Sequence, residues 1–119
     1  MMKPIVVMAL ALAMASAASA RTLELLEGAY ELRLADIRMP RSPVDTAAFR
    51  TCESCKTQAL TATVRTRYEI DGRRYELPDF RELVTKIRQR DGGNGSTGVG
   101  IFYGLESNQI TRIAVFTAN

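Results

Sequence analysis

The chain has 119 residues, 46% of them hydrophobic and 24% charged, and its basic residues exceed its acidic ones by only three. This length suits one domain with one modest core, and the near balance of charge argues against nucleic acid as a partner. The sequence contains no histidine, which excludes Ser-His-Asp and Cys-His catalysis and removes the commonest metal ligand. We therefore expect no metal or other cofactor, and an enzyme is the less favoured class.

The first twenty residues have the three parts of a secretory signal peptide. Lys3 gives a positive start, Ile5 to Ala13 form an apolar run, and Ala18-Ser19-Ala20 forms a small-x-small cleavage site. The apolar run is too short to span a bilayer, and no second one follows, so we expect no integral membrane segment. The sequence predicts a signal peptide at 1–20 and a single soluble α+β domain at 21–119, exported to the periplasm or secreted.

The start of this domain predicts a strand and then a short helical turn. Tyr30, Leu32 and Leu34 alternate with polar or small residues, which indicates a strand over about 29–37. The stretch Ser42-Pro43-Val44-Asp45 has the capping serine, the first-turn proline and the acidic residue of a helix start. We expect that helical turn to continue through Phe49.

The clearest strand pattern follows the two cysteines. One predicted face carries Leu60, Ala62, Val64, Tyr68 and Ile70. The other carries Thr61, Thr63, Arg65, Arg67 and Glu69. Asp71-Gly72 then predicts a tight hairpin turn, because glycine tolerates the positive φ that such turns require. This turn predicts three opposing pairs, which are Tyr68 with Tyr75, Glu69 with Arg74, and Arg67 with Glu76.

The second half of the domain predicts a helix and a second hairpin. Asp79 and Glu82 form a capping pair after Pro78, which indicates a helix over 79–91 with one apolar stripe. Residues 99–105 and 110–116 then read as two strands joined by a turn. The expected fold is an antiparallel sheet of about five strands with the helix packed on one face.

Cys52 and Cys55 form a Cys-x-x-Cys motif that allows four interpretations. A local disulfide suits an oxidising compartment and would pin a turn. A redox dithiol would need activated thiols, which usually lie at a helix N-terminus, whereas a Thr-rich strand pattern follows Cys55. The other two interpretations are half of a metal site that a second chain completes, and haem attachment with Lys56 in the place of histidine.

The remaining candidate site is a group of arginines on the exposed face of the hairpin. Arg65, Arg67 and Arg74 form a potential anion-binding group, although solvated strand faces carry similar charge. The favoured function is a non-enzymatic binding or structural module with an unidentified envelope or extracellular partner. The alternative is a thiol–disulfide redox protein. No covering element is predicted for the edge of the sheet, so a homodimer through that edge is a further expectation.

Overall fold

The computed structural model describes residues 27–91 and 97–117, and the structural statements below concern that part of the chain. The signal peptide predicted at 1–20 lies outside the described residues and stays a prediction. The described residues form seven strands, a 3-10 turn at Leu34–Asp36 and one α-helix, α1 (Leu77–Asp91). The strands are β1 (Glu27–Arg33), β2 (Ile37–Arg38), β3 (Thr46–Phe49), β4 (Gln58–Ile70), β5 (Arg73–Tyr75), β6 (Gly98–Gly104) and β7 (Gln109–Phe116).

The strands form one mixed sheet in the order β1-β6-β7-β4-β3-β2, with β5 also paired to β4. The α+β class is therefore supported, but the prediction of an antiparallel sheet of about five strands is wrong. β4 and β7 run parallel, and the other pairs are antiparallel. β3 and β5 occupy the two ends of one edge of β4, so the other edge is left for β7. β7 can run parallel to β4 because α1 and β6 lie between the two strands in the chain and supply the crossover that a parallel pair requires.

The predicted strand over 29–37 is split by the 3-10 turn into β1 and β2, which lie at opposite ends of the strand order. The sheet therefore curls until its first and last strands are joined by three residues. This turn leaves carbonyl groups without partners in the sheet, and the guanidinium of Arg88 on α1 donates to two of them. Nη1 lies 2.7 Å from the oxygen of Leu34, and Nη2 lies 2.7 Å from the oxygen of Ile37.

The helical turn expected from Ser42 through Phe49 is also wrong. Ser42 and Asp45 instead close a single turn, in which the Asp45 amide donates to the Ser42 oxygen at 3.2 Å. The carboxylate of Asp45 accepts a bond from the amide of Arg41 at 2.9 Å. The chain then enters β3, where Ala47 and Phe49 are buried in the core. Burial of these two side chains against the sheet outweighs the local helix-capping pattern.

The helix α1 begins two residues before the predicted start, and its first bond runs from the Phe80 amide to the Glu76 oxygen at 2.9 Å. Its predicted apolar stripe is confirmed, because Phe80, Val84 and Ile87 are buried against one face of the sheet. The Phe80 ring lies 5.0 Å from the ring of Tyr68 on β4. This contact places the core between α1 and that face.

The hairpin turn between β4 and β5 is confirmed, with φ values of 51° at Asp71 and 84° at Gly72. Tyr68 pairs with Tyr75, and Glu69 pairs with Arg74, as the turn predicts. The ladder ends there, so the expected pairing of Arg67 with Glu76 does not form. Val64 was expected on the buried face but is 79% exposed, because β4 is irregular between Ala62 and Arg67.

Candidate functional site

The face of the sheet that points away from α1 is not covered by another described element, and we call it the outer face. Strand alternation and register place three residues from each of three neighbouring strands on it. These residues are Ala29, Glu31 and Arg33 of β1, Gly98, Gly100 and Phe102 of β6, and Arg112, Ala114 and Phe116 of β7. Phe116 is 53% exposed, which is unusual for an aromatic ring of this size.

A cleft of about 610 Å³ lies on the outer face, and we call it the outer-face cleft. Gly98 and Gly100 form its floor, and the rings of Phe102 and Phe116 line one side. A Cβ atom added at Gly98 would meet no heavy atom within 4 Å, whereas one added at Gly100 would lie 3.2 Å from the Phe102 ring. The open space above Gly98 is therefore part of the cleft itself.

Charged groups line the other end of the cleft. The Arg33 guanidinium donates to the Asp36 carboxylate at 3.0 Å and 3.4 Å, and this hydrogen bonding raises the pKa of Arg33. Arg50, by contrast, donates to the carbonyl oxygen of Glu53 at 3.2 Å. Because Asp36 balances the charge of Arg33, Arg50 is the better placed of the two to meet an acidic group of a ligand.

The Phe102 ring is held in position by Arg112. The Cζ atom of Arg112 lies 4.1 Å from the centroid of the ring, in a cation–π contact. Nη1 of Arg112 also lies 3.6 Å from a carboxylate oxygen of Glu69. The ion pair of Glu69 therefore crosses to β7, although the hairpin register places Arg74 opposite Glu69. These contacts fix one wall of the cleft before any ligand arrives.

The sequence patterns do not predict this cleft. Phe102 and Phe116 fall within predicted strands, and no pattern brings Arg33 and Arg50 together. A signal was present in Gly98-Val99-Gly100, where glycine alternates with a buried residue and so leaves one face without side chains. Arg50 comes to the cleft because its amide donates to the Asp36 oxygen at 3.2 Å, and no local pattern predicts this contact.

The predicted disulfide between Cys52 and Cys55 is present, with a Cα–Cα distance of 5.0 Å. It lies in the loop between β3 and β4, where the Cys55 amide also donates to the Cys52 oxygen at 3.3 Å. The next regular element is β4, which starts at Gln58, so the motif does not sit at a helix N-terminus. The bond closes the turn of the β3–β4 hairpin.

The three arginines proposed as an anion site do not share one depression. Arg65 and Arg67 line a depression of about 340 Å³ together with Ser107, Gln109 and Thr111. Arg74 lines another, of about 190 Å³, beside Tyr68 and the start of α1. Anion binding by these residues stays a prediction, with Arg65 and Arg67 as its more closely associated pair.

The site and fold together define a small α+β domain with a curled mixed sheet, a local disulfide and an open cleft. Within residues 27–91 and 97–117, no three potential ligands come together as a metal site. In the same part of the chain, α1 is neither long nor apolar enough to cross a bilayer. Comparisons of the chain with protein-family models, curated proteins and solved structures found no match.

Proposed function

We propose that this protein is a non-enzymatic binding module that acts outside the cytoplasm and holds its ligand in the outer-face cleft. The cleft is the observation that carries the proposal, because its volume of about 610 Å³ lies within the usual range for small-molecule sites. Export is supported by the signal-peptide pattern at 1–20. The disulfide is consistent with an oxidising compartment.

The lining of the cleft favours a small amphipathic ligand with one acidic group. Phe102 and Phe116 offer apolar surface at one side, and Arg50 offers guanidinium donors at the other. Glu31 and Asp36 also line the cleft, so a ligand with several negative charges would be repelled. An aromatic or aliphatic acid satisfies both ends of the cleft.

Filling the cleft is expected to weaken ligand binding without disturbing the fold. Gly98→Leu places a side chain in the open space above Gly98, and a non-glycine residue is tolerated in a strand. With anilinonaphthalene sulfonate as an apolar acidic probe, we expect G98L to weaken binding at least about tenfold. R50A should weaken it about tenfold as well, through loss of a charge-assisted hydrogen bond. Titration calorimetry measures both effects.

The matched control for this experiment is the triple variant R65A/R67A/R74A, which removes three guanidinium groups away from the cleft. We expect it to bind the probe with unchanged affinity, while circular dichroism verifies that each variant is folded. Unchanged binding by G98L would contradict the proposal. Loss of binding in the triple variant alone would move the site to the arginines of the β4–β5 hairpin.

A thiol–disulfide exchange role is the second candidate, and the exposure of Cys52 at a loop favours it. For a structural bond we expect a reduction potential below about −300 mV, whereas a value between about −270 and −120 mV favours exchange.

The variant C52S/C55S should lose about 2 kcal/mol of stability, because the bond closes a very short loop. It should still bind the probe, since neither cysteine lines the cleft.

A further inference from the structure

The strand β1 presents a long free edge. It stands at the end of the strand order and, among the described strands, pairs only with β6. It is seven residues long, whereas β2 and β5, which also have a free edge, have two and three residues. It contains neither lysine nor proline, the residues that commonly protect an exposed edge. This edge is therefore the one best suited to pair with another strand.

The hydrogen bonding next to β1 shows which of its backbone groups face outward. The amide of Leu34 donates to the Thr97 oxygen at 2.9 Å, which continues the β1–β6 ladder by one residue. Backbone groups alternate in direction along an antiparallel strand. Tyr30 and Leu32 therefore bond toward β6, and the N–H and C=O groups of Ala29, Glu31 and Arg33 point to the free edge.

The charges and the length of β1 together favour one register for pairing with a second copy. An antiparallel pair centred on Ala29 places Glu27 opposite Glu31, and one centred on Glu31 places that residue opposite itself. A pair centred on Tyr30 places Glu27 opposite Arg33 of the second copy, twice by symmetry. Directly opposed like charges are destabilising in a sheet and opposite charges are stabilising. A pair centred on Leu32 also places Glu31 opposite Arg33, but only three residues of β1 then overlap, whereas the pair centred on Tyr30 overlaps all seven. The register centred on Tyr30 is therefore the one that combines opposite charges with the full length of the strand.

We propose that two copies of this protein pair through their β1 edges in an antiparallel dimer centred on Tyr30. The two sheets then become one continuous sheet, and the outer faces of both copies lie on the same side. On the core side, Tyr30 of one copy meets Tyr30 of the other, where each ring already stacks 5.3 Å from Tyr103. A ligand in the outer-face cleft is not required for this pairing.

Charge-reversal variants of the purified protein test both the dimer and its register. E27R and R33E each place like charges opposite one another twice, so we expect each alone to dimerise at least about tenfold more weakly than the native protein. R33E also removes the bond from Arg33 to Asp36 within each copy, so circular dichroism verifies that this variant is folded. An equimolar mixture restores both opposite-charge pairs and should form a heterodimer with native-like affinity. Sedimentation equilibrium from micromolar to millimolar concentration measures the dimer dissociation constant of the native protein, of each variant and of the mixture.

A further variant, A29P, tests the dimer without any change of charge, so an effect of charge on folding cannot account for its result. A29P removes an amide that points to the free edge and that β6 does not use, so the monomer should fold and fail to dimerise. A native protein that stays monomeric at millimolar concentration would overturn the proposal. Dimers of unchanged affinity in A29P, or a mixture of E27R and R33E that remains monomeric, would also overturn it. Because Ala29, Glu31 and Arg33 also line the outer-face cleft, the measurements are made without ligand, and failure of ligand binding would not change their result.

Discussion

Replacing Arg88 with alanine is expected to lower the free energy of unfolding by about 3–4 kcal/mol. Its guanidinium donates two bonds of 2.7 Å, one to the Leu34 oxygen and one to the Ile37 oxygen. A hydrogen bond from a charged donor contributes about 1.5–3 kcal/mol, and both carbonyls lose their partner at once. Burial lowers the pKa of Arg88, but the group remains charged at neutral pH. Urea unfolding measures the loss.

The conservative variant R88K separates geometry from charge. Lysine keeps the positive charge but lacks the planar fork that reaches two carbonyls together, so we expect it to recover less than half of the lost stability. Arg81 lies two turns earlier on α1 and is exposed, and R81A should change stability by less than about 0.5 kcal/mol. A loss below about 1 kcal/mol in R88A would show that the two bonds do not hold the 3-10 corner.

Replacing Thr66 with valine is expected to cost about 2–3 kcal/mol, although the two side chains have nearly the same shape. The buried Thr66 hydroxyl donates to the Ile110 oxygen at 2.6 Å and accepts from the Thr63 amide at 2.9 Å. Both bonds fall where β4 is irregular beside β7. Valine leaves a buried carbonyl and a partly buried amide without partners. Thermal and urea unfolding measure the effect.

The control for this variant is T66S, which keeps the hydroxyl and removes one methyl group. We expect T66S to lose about 1 kcal/mol or less from the smaller side chain. Equal losses in T66V and T66S would assign the effect to packing and contradict the role given to the hydroxyl. Val64, which is 79% exposed in the same irregular segment, should accept V64T with little change.

Several predictions from the sequence are correct because they depend on near neighbours along the chain. Asp71-Gly72 fixes a turn through its positive φ angles, and that turn fixes the pairs Tyr68 with Tyr75 and Glu69 with Arg74. The apolar stripe of α1 follows from the period of a helix. The Cys52–Cys55 bond spans three residues and is equally local.

The errors come from contacts between residues far apart in the sequence. The pattern at 42–45 satisfies a helix cap locally, but burial of Phe49 against the sheet makes 46–49 a strand. The even spacing of β4 placed Val64 in the core, but the bonds of Thr66 redirect that segment. Arg67 loses its expected partner because β5 stops at Tyr75.

The helix α1, the hairpin of β6 and β7, the tight turn at Asp71-Gly72 and the disulfide follow from sequence alone, because residues within a few positions of one another decide each of them. Long-range contacts instead decide the parallel pairing of β4 with β7, the curling of the sheet at the 3-10 corner, and the cleft. Each of these depends on which distant strands become neighbours. Which strands become neighbours depends on how side chains from the whole domain fill one core, so no short stretch of sequence determines it.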